Sequence, residues 1–147
     1  QQMIQALYRA SRAGVKVDLL VRGTCCLVPG LPGISENIRV HSIVGRFLEH
    51  SRIYYFCNGG NGQVYLGSTD LMPRNVNWRV VVLYPVLDRR LAHYLRNEVL
   101  ETFLKANSKV RIMQPDGSYQ YLKVPPEVPH INPQEILIQN HQRTKYG

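Results

Sequence analysis

Residues that suit phosphate chemistry stand at three places between positions 22 and 79. The sharpest is His50, which is separated from Arg52 by one residue, so that an alternating strand would point both side chains to one face. A neutral imidazole can accept or relay a proton, and a guanidinium can hold phosphate oxygens with two parallel hydrogen bonds. This pattern suits a phosphate-handling pair, but taken alone it fits better a histidine that only hydrogen-bonds within the fold.

Arg22 is the second candidate, and it directly follows an apolar segment, 15–21, that is typical of a strand. Open α/β sheets bind ligands just past the carboxyl ends of their strands. Gly23 comes next and allows the backbone to approach a ligand closely. A surface arginine paired with a nearby acid is the alternative interpretation.

The third candidate is the run Gly67-Ser68-Thr69-Asp70. A small Gly-Ser pair at the end of a strand lets backbone amides and a hydroxyl reach an anion, whereas an ordinary turn with an aspartate cap would look the same. Arg39, Arg46 and Arg79 add positive charge on or beside predicted strands. The remaining histidines are predicted to be structural or solvent-exposed: His41, His93, His130 and His141.

Composition limits the possible partners. The net charge of +8 and the pI near 9.7 indicate an anionic partner, which could be nucleic acid, a phosphate compound or a membrane surface. The tyrosines are too scattered for a stacking platform, so we predict no nucleic acid partner. No Cys or His pair has ligand spacing, and no metal site is predicted. No run of ~20 apolar residues occurs, and three cysteines, two of them adjacent, are typical of reduced thiols in a cytoplasmic protein, which is the expected location.

The elements that must position these residues follow an α/β order, and at 147 residues we expect a single domain over 1–147. Helices are predicted over 2–13, 87–106 and 133–139, with Asp88 and Asn132 near the starts of the second and third. Strands are predicted over 15–21, 38–47, 51–57, 64–67, 79–85, 110–112 and 119–122. Val80–Leu83 is typical of a buried strand. Gly14 is predicted to end the first helix, and glycine-containing turns at 58–62 and at Asp116-Gly117 predict two hairpins. The expected fold class is therefore α/β (α+β), with one mixed β-sheet of five to seven strands flanked by helices.

Four ordered segments of the chain resemble the carboxy-terminal catalytic domain of the family 1 polyphosphate kinases. They are 21–30, 31–38, 43–56 and 66–75, and Arg79-Val80 and Pro85-Val86 follow in the expected order. The resemblance spans nearly the whole chain. It implies a phospholipase-D-like domain from a longer enzyme, whose preceding domains are absent from this chain.

The phospholipase D half-motif runs His-x-Lys, then Asp, then Gly-Ser-x-Asn, and this chain matches it only in outline. Arg52 replaces the Lys, Asp70 replaces the Asn, and Cys57 stands where the Asp would fall. These departures argue against phosphodiester hydrolysis and fit the polyphosphate kinase variant of the motif better.

The resemblance also implies a mechanism, the reversible transfer of the ATP γ-phosphoryl group to polyphosphate through a phosphohistidine in the preceding domain. His50 matches a second active-site histidine, expected to bind ATP phosphates and to assist as acid or base. Arg22 matches an arginine expected to hold the nucleotide phosphates, and we add Arg52 and Arg79 as further phosphate-binding residues. The family uses Mg2+, with ligands expected outside this chain, so the chain alone is predicted to be inactive.

The implied partners are ATP or ADP, inorganic polyphosphate and the other domains of the same enzyme. A homo-oligomer and membrane association are expectations for the full-length enzyme. Two other functions compete with the kinase: a phospholipase-D-like half-site completed by dimerisation around two copies of His50, and a non-catalytic module that binds polyanions through its positive charge.

Overall fold

The computed structural model of the chain describes residues 2–68, 70 and 80–146, the last four by their backbone alone. The helical elements are α1 (Gln2–Arg12), a 3-10 turn (Asn58–Gly60), α2 (Arg89–His93), a π-helix (Tyr94–Leu100), α3 (Glu101–Leu104) and α4 (Pro133–Tyr146). The strands are β1 (Val17–Leu20), β2 (Ile38–Ile43), β3 (Ile53–Phe56), β4 (Gln63–Gly67), β5 (Leu83–Pro85), β6 (Val110–Met113) and β7 (Tyr119–Tyr121). The chain divides into unit 1 (Gln1–Leu48 with Leu104–Gly147) and unit 2 (Glu49–Phe103).

Unit 1 contains a four-stranded mixed sheet in the order β1-β2-β6-β7. β1 and β2 are parallel, with Val17 opposite Ile38, and the other neighbours are antiparallel. Helix α1 leads into β1 through Gly14, whose φ of +83° lies in the left-handed region that glycine adopts without strain. Helix, glycine turn and strand therefore follow each other as the sequence predicts.

The core of unit 1 lies between α1 and this sheet. Four buried side chains form it, and partly buried residues of α1 pack against them. Burial of these apolar side chains supplies the main driving force for folding this unit. The four are Leu27, Ile38, Val40 and Met113.

The loop after β1 is held by side chains rather than by a sheet. Ser35 is fully buried; its hydroxyl donates to the carbonyl of Val28 at 2.7 Å and accepts from the amide of Leu31 at 3.0 Å. The hydroxyl of Tyr8 accepts from the amide of Val28 at 2.9 Å. The proline- and glycine-rich segment that follows Arg22 is therefore a fixed part of unit 1.

Unit 2 contains a three-stranded antiparallel sheet in the order β3-β4-β5. β3 and β4 form a hairpin, with Ile53 opposite Leu66, around a turn that includes Gly59 at φ +61°. The next helix begins at Asp88, whose carboxylate accepts from the amides of Arg90 at 2.8 Å and Leu91 at 3.1 Å. Both the predicted hairpin and the predicted helix start are confirmed.

The predicted α/β fold class is confirmed, but two details were wrong. The strands form two sheets instead of one. β6 pairs with β2 in the first sheet, whereas β3 pairs with β4 in the second. The apolar run at 80–83 is not buried: Val80 is 98% exposed and Leu83 is 55% exposed. Among the described strands, β5 pairs with β4 alone and stands at the edge of its sheet. An apolar run shows that burial of these residues would be favourable, but it does not show whether a neighbouring layer covers them.

Candidate functional site

The β3–β4 hairpin places the two chemical motifs of unit 2 side by side. Arg52 immediately precedes β3, and Gly67 ends β4. The amide of Gly67 donates to the carbonyl of Arg52 at 2.9 Å, so the strand pairing continues to this position. Antiparallel pairing thus brings the segment with His50 next to the segment that ends at Asp70.

An ion pair joins the two segments. Nε of Arg52 donates to Oδ1 of Asp70 at 2.7 Å, and Nη1 of Arg52 donates to the carbonyl of Ser51 at 3.1 Å. The Arg52 side chain is only 19% exposed, whereas Asp70 is 46% exposed. The guanidinium therefore has an internal structural partner, which sequence reasoning missed. The sequence contained one indication of this pair: Arg52 and Asp70 both differ from the residues of the phospholipase D half-motif.

Gly67 makes room for this cluster. A Cβ atom there would lie 3.0 Å from the ring of Tyr54 and 3.5 Å from Cβ of Arg52. Burial raises the pKa of Tyr54; Arg52 opposes this shift and Asp70 adds to it. A shift in this direction keeps the phenol protonated at neutral pH, as its ordinary pKa also would.

The amide and hydroxyl of Ser68, predicted to reach an anion, instead form hydrogen bonds with the main chain of Val82. Its amide donates to the carbonyl of Val82 at 3.0 Å, and its Oγ accepts from the amide of Val82 at 3.0 Å. The amide is therefore committed to chain pairing and does not point at a ligand. The hydroxyl hydrogen of Ser68 remains a possible donor.

His50 is exposed, as a side chain that receives a ligand must be. It lies two residues before the anchored Arg52, so its backbone leads directly into the hairpin. His50 is therefore open to solvent two residues before the arginine that pairs with Asp70.

Arg22 lies in unit 1, and its main chain is fixed along β2. The amide of Val21 donates to the carbonyl of His41 at 2.8 Å, and Oγ of Ser42 donates to the carbonyl of Arg22 at 3.4 Å. The Arg22 side chain is exposed just past the carboxyl end of β1. Of the predicted site residues, His50 and Arg52 therefore lie in unit 2 and Arg22 lies in unit 1. Arg79 lies outside the described residues.

Residues 2–68, 70 and 80–146 were predicted to hold neither a metal site nor a membrane-spanning helix. They contain no group of three or more His, Cys, Asp or Glu side chains arranged to hold a metal ion. None of their helices has the length and apolar character required to cross a bilayer.

These features define an α/β domain with exposed basic side chains suited to phosphate. The chain belongs to the polyphosphate kinase family: residues 1–134 match the family model described as "Polyphosphate kinase C-terminal domain 2". This match confirms the family resemblance seen in the motifs, which covers both His50 and Arg22.

Relatives of known name agree with this assignment. The chain is 54% identical over 142 residues to polyphosphate kinase 1 of Chlorobaculum tepidum, covering 97% of this chain and 20% of the relative. It is 52% identical over 145 residues to polyphosphate kinase of Prosthecochloris aestuarii, covering 99% of this chain and 20% of the relative. The crystal structure of polyphosphate kinase from Porphyromonas gingivalis superposes with a TM-score of 0.89 at 40% identity, covering 99% of this chain and 22% of that chain. The chain therefore spans about a fifth of these relatives.

Proposed function

We propose that this chain supplies His50 and Arg22 to the phosphoryl-transfer site of a full-length polyphosphate kinase. In this reaction the γ-phosphorus of ATP is attacked by a histidine nitrogen of the preceding domain, and ADP leaves. A terminal oxygen of polyphosphate then attacks the phosphohistidine, so that the P–N bond breaks and a phosphoanhydride P–O bond forms. Both steps need positioning and charge neutralisation more than covalent help.

The observation that carries the proposal is the family match, which includes the motif around an exposed His50. An imidazole there can donate a hydrogen bond to ATP phosphate oxygens and take or return a proton as the phosphoryl group moves. Arg22 would hold phosphate oxygens with its guanidinium, and its fixed main chain supports that role. Exposed basic side chains fit the phosphates of ATP and of polyphosphate alike.

Arg52 and Arg79 remain predicted phosphate ligands of lower rank. The ion pair with Asp70 gives Arg52 an alternative role, which is to join the motif that contains His50 to the motif that ends at Asp70. A phosphate would have to compete with that carboxylate or share the guanidinium with it. Arg79 is proposed on its sequence position alone.

Mg2+ supplies charge neutralisation in reactions of this class. From the family resemblance, its ligands are predicted to lie in other domains of the enzyme. The homo-oligomer, the cytoplasmic location and the membrane association of the whole enzyme likewise remain predictions. The fragment alone is expected to form no polyphosphate.

The test uses the full-length enzyme with His50→Ala, measuring ATP-dependent polyphosphate formation and phosphoenzyme labelling together. We expect synthesis to fall by about 100-fold or more, the usual scale for a lost acid–base group, while the protein stays folded. His130→Ala is the matched control, because His130 is also exposed and lies far along the chain in unit 1.

Near-normal synthesis by His50→Ala would contradict the proposal and leave this domain as a polyphosphate-binding platform at most. Hydrolysis of a model phosphodiester by the wild-type chain, abolished by His50→Ala, would instead favour the phospholipase-D-like half-site. Unchanged affinity for polyphosphate in the variant is expected of a pure polyanion binder, because charge dominates such binding.

A further inference from the structure

A buried glutamine of unit 1 clamps the main chain that leads toward His50. Gln134 is 6% exposed and stands in the first turn of α4, after the capping residue Asn132. Its Oε1 accepts from the amide of Phe47 at 3.0 Å, and its Nε2 donates to the carbonyl of Phe47 at 2.8 Å. One side chain thus satisfies both polar groups of one peptide residue, as a neighbouring strand would.

Gly45 is shaped to accept this side chain. A Cβ atom at Gly45 would lie 2.3 Å from Oε1 and 2.6 Å from Cδ of Gln134. Those separations are far inside van der Waals contact, so any larger residue at this position would expel the amide. The glycine and the glutamine, 89 positions apart in the chain, are therefore two halves of one contact.

The clamp holds the segment that connects β2 to β3. This segment carries an exposed cation, Arg46, which lies between Gly45 and Phe47. Its guanidinium stands 5.3 Å from the centre of the Phe47 ring. His50 follows Phe47 by three residues, which span at most about 10 Å of extended chain. The clamped peptide of Phe47 is therefore a fixed point in the main chain three residues before His50.

We propose that Gln134 is a positioning residue for phosphoryl transfer, acting through the main chain of Phe47 on the placement of His50. The inference rests on the proposed function, since it gives His50 a task in the reaction. A purely structural reading predicts only lower stability when the clamp is broken. The positioning reading predicts that the loss of rate depends on His50 being present.

Gln134→Glu is the decisive substitution, because it keeps size and shape. The carboxylate can still accept from the Phe47 amide, but it replaces the donor to the Phe47 carbonyl with a negative oxygen. In the full-length enzyme we expect kcat for polyphosphate synthesis to fall about 10- to 100-fold, the scale associated with misplacing a reacting group by about 1 Å. Gln139→Glu is the matched control, since Gln139 is exposed on the same helix.

A double-mutant cycle with His50→Gln separates the two readings. With positioning, Gln134→Glu lowers the rate in the His50 enzyme but by no more than about 2-fold in the His50→Gln enzyme, because the placed group is already gone. The same fold-loss in both backgrounds would overturn the inference and leave a structural clamp. Labelled ATP and long incubation bring the slow variants into the measurable range.

Gly45→Ala breaks the same contact from the other side and leaves Gln134 intact, so it serves if Gln134→Glu fails to fold. It should show the same dependence on His50. The cycle also distinguishes the two proposals. A normal rate for His50→Gln alone would remove the proposed function and this inference together, whereas a low rate with equal effects of Gln134→Glu in both backgrounds would remove only the inference.

Discussion

Nε of Arg52 lies 2.7 Å from Oδ1 of Asp70, and this ion pair joins two motifs that are 18 positions apart. Both residues depart from the phospholipase D half-motif, which has Lys and Asn at the corresponding places. The two departures are therefore the two partners of one contact. A guanidinium donates through Nε in a fixed plane, which an ammonium cannot do, so the change to arginine and the change to aspartate support each other.

Asp70→Asn removes the negative charge and leaves Arg52, which is largely buried, beside a neutral amide. We expect the free energy of unfolding of the chain to fall by about 0.5–1 kcal/mol, a modest value because Asp70 is nearly half exposed to water. Urea denaturation followed by circular dichroism measures this change.

Asp18→Asn is the matched control for that measurement. Asp18 pairs with Arg39 through the same two atom types at 2.8 Å, but the Arg39 side chain is 67% exposed. Because water screens this exposed pair, Asp18→Asn should lower the free energy of unfolding by less than Asp70→Asn does. Equal losses for the two substitutions would mean that the Arg52–Asp70 pair is an ordinary surface contact.

Arg96 links the π-helix to the hairpin within unit 2, and Arg96→Lys tests that link. Its Nη1 donates to Oε2 of Glu101 at 2.6 Å, and its guanidinium stands 4.8 Å from the Tyr55 ring centre. The hydrogen bond that Arg96 donates to the Glu101 carboxylate raises the pKa of Arg96. Lysine keeps the charge but has no planar group to stack, so we expect a loss of about 1 kcal/mol in unfolding free energy.

Chemical denaturation of the chain measures the effect, with Arg90→Lys as control because Arg90 is exposed in the preceding helix. A variant as stable as wild type would mean that the stacking on Tyr55 contributes nothing. The ion pair between Arg96 and Glu101 depends on π-helical geometry. The amide of Glu101 donates to the carbonyl of Arg96, five residues back, so the two residues lie one turn apart.

Local signals in the sequence predicted local structure well. Gly14 ends α1, Asp88 caps α2, and Asn132 caps α4 by accepting from the amide of Gln134. Each needs only residues within a few positions of itself, since capping and turn formation are decided by short-range sterics and hydrogen bonds. The same holds for the Asp116-Gly117 hairpin, where Gly117 has φ +83°.

Contacts between distant residues were beyond such signals. Nothing near Gln134 indicates that its amide would pair with Phe47, 87 positions earlier, or that Gly45 would have to lack a side chain. The division into two sheets likewise depends on β6 pairing with β2 after the whole of unit 2 has intervened. Within the site, the sequence identified Arg52 and Asp70 as two departures from one motif, but the ion pair between them requires the folded hairpin.

His41 gives unit 1 a pH-dependent stability. It lies half-buried on β2, and burial lowers its pKa from 6.5; Asp18 opposes this shift and Arg39 adds to it. The unfolded chain therefore binds a proton at His41 at higher pH than the folded chain does. The free energy of unfolding should be highest above pH 6.5 and should fall as the pH drops below that value, because protonation then favours the unfolded state.

His41→Gln removes the titrating group, so its unfolding free energy should vary less between pH 7.5 and pH 5 than that of the wild-type chain. Urea denaturation across that range, in steps of about half a pH unit, gives the two curves, whose slopes report the difference in bound protons. His130→Gln is the control, since His130 is exposed, and its curve should follow wild type. Parallel curves for His41→Gln and wild type would contradict the prediction and assign the acid sensitivity of the chain to its carboxylates.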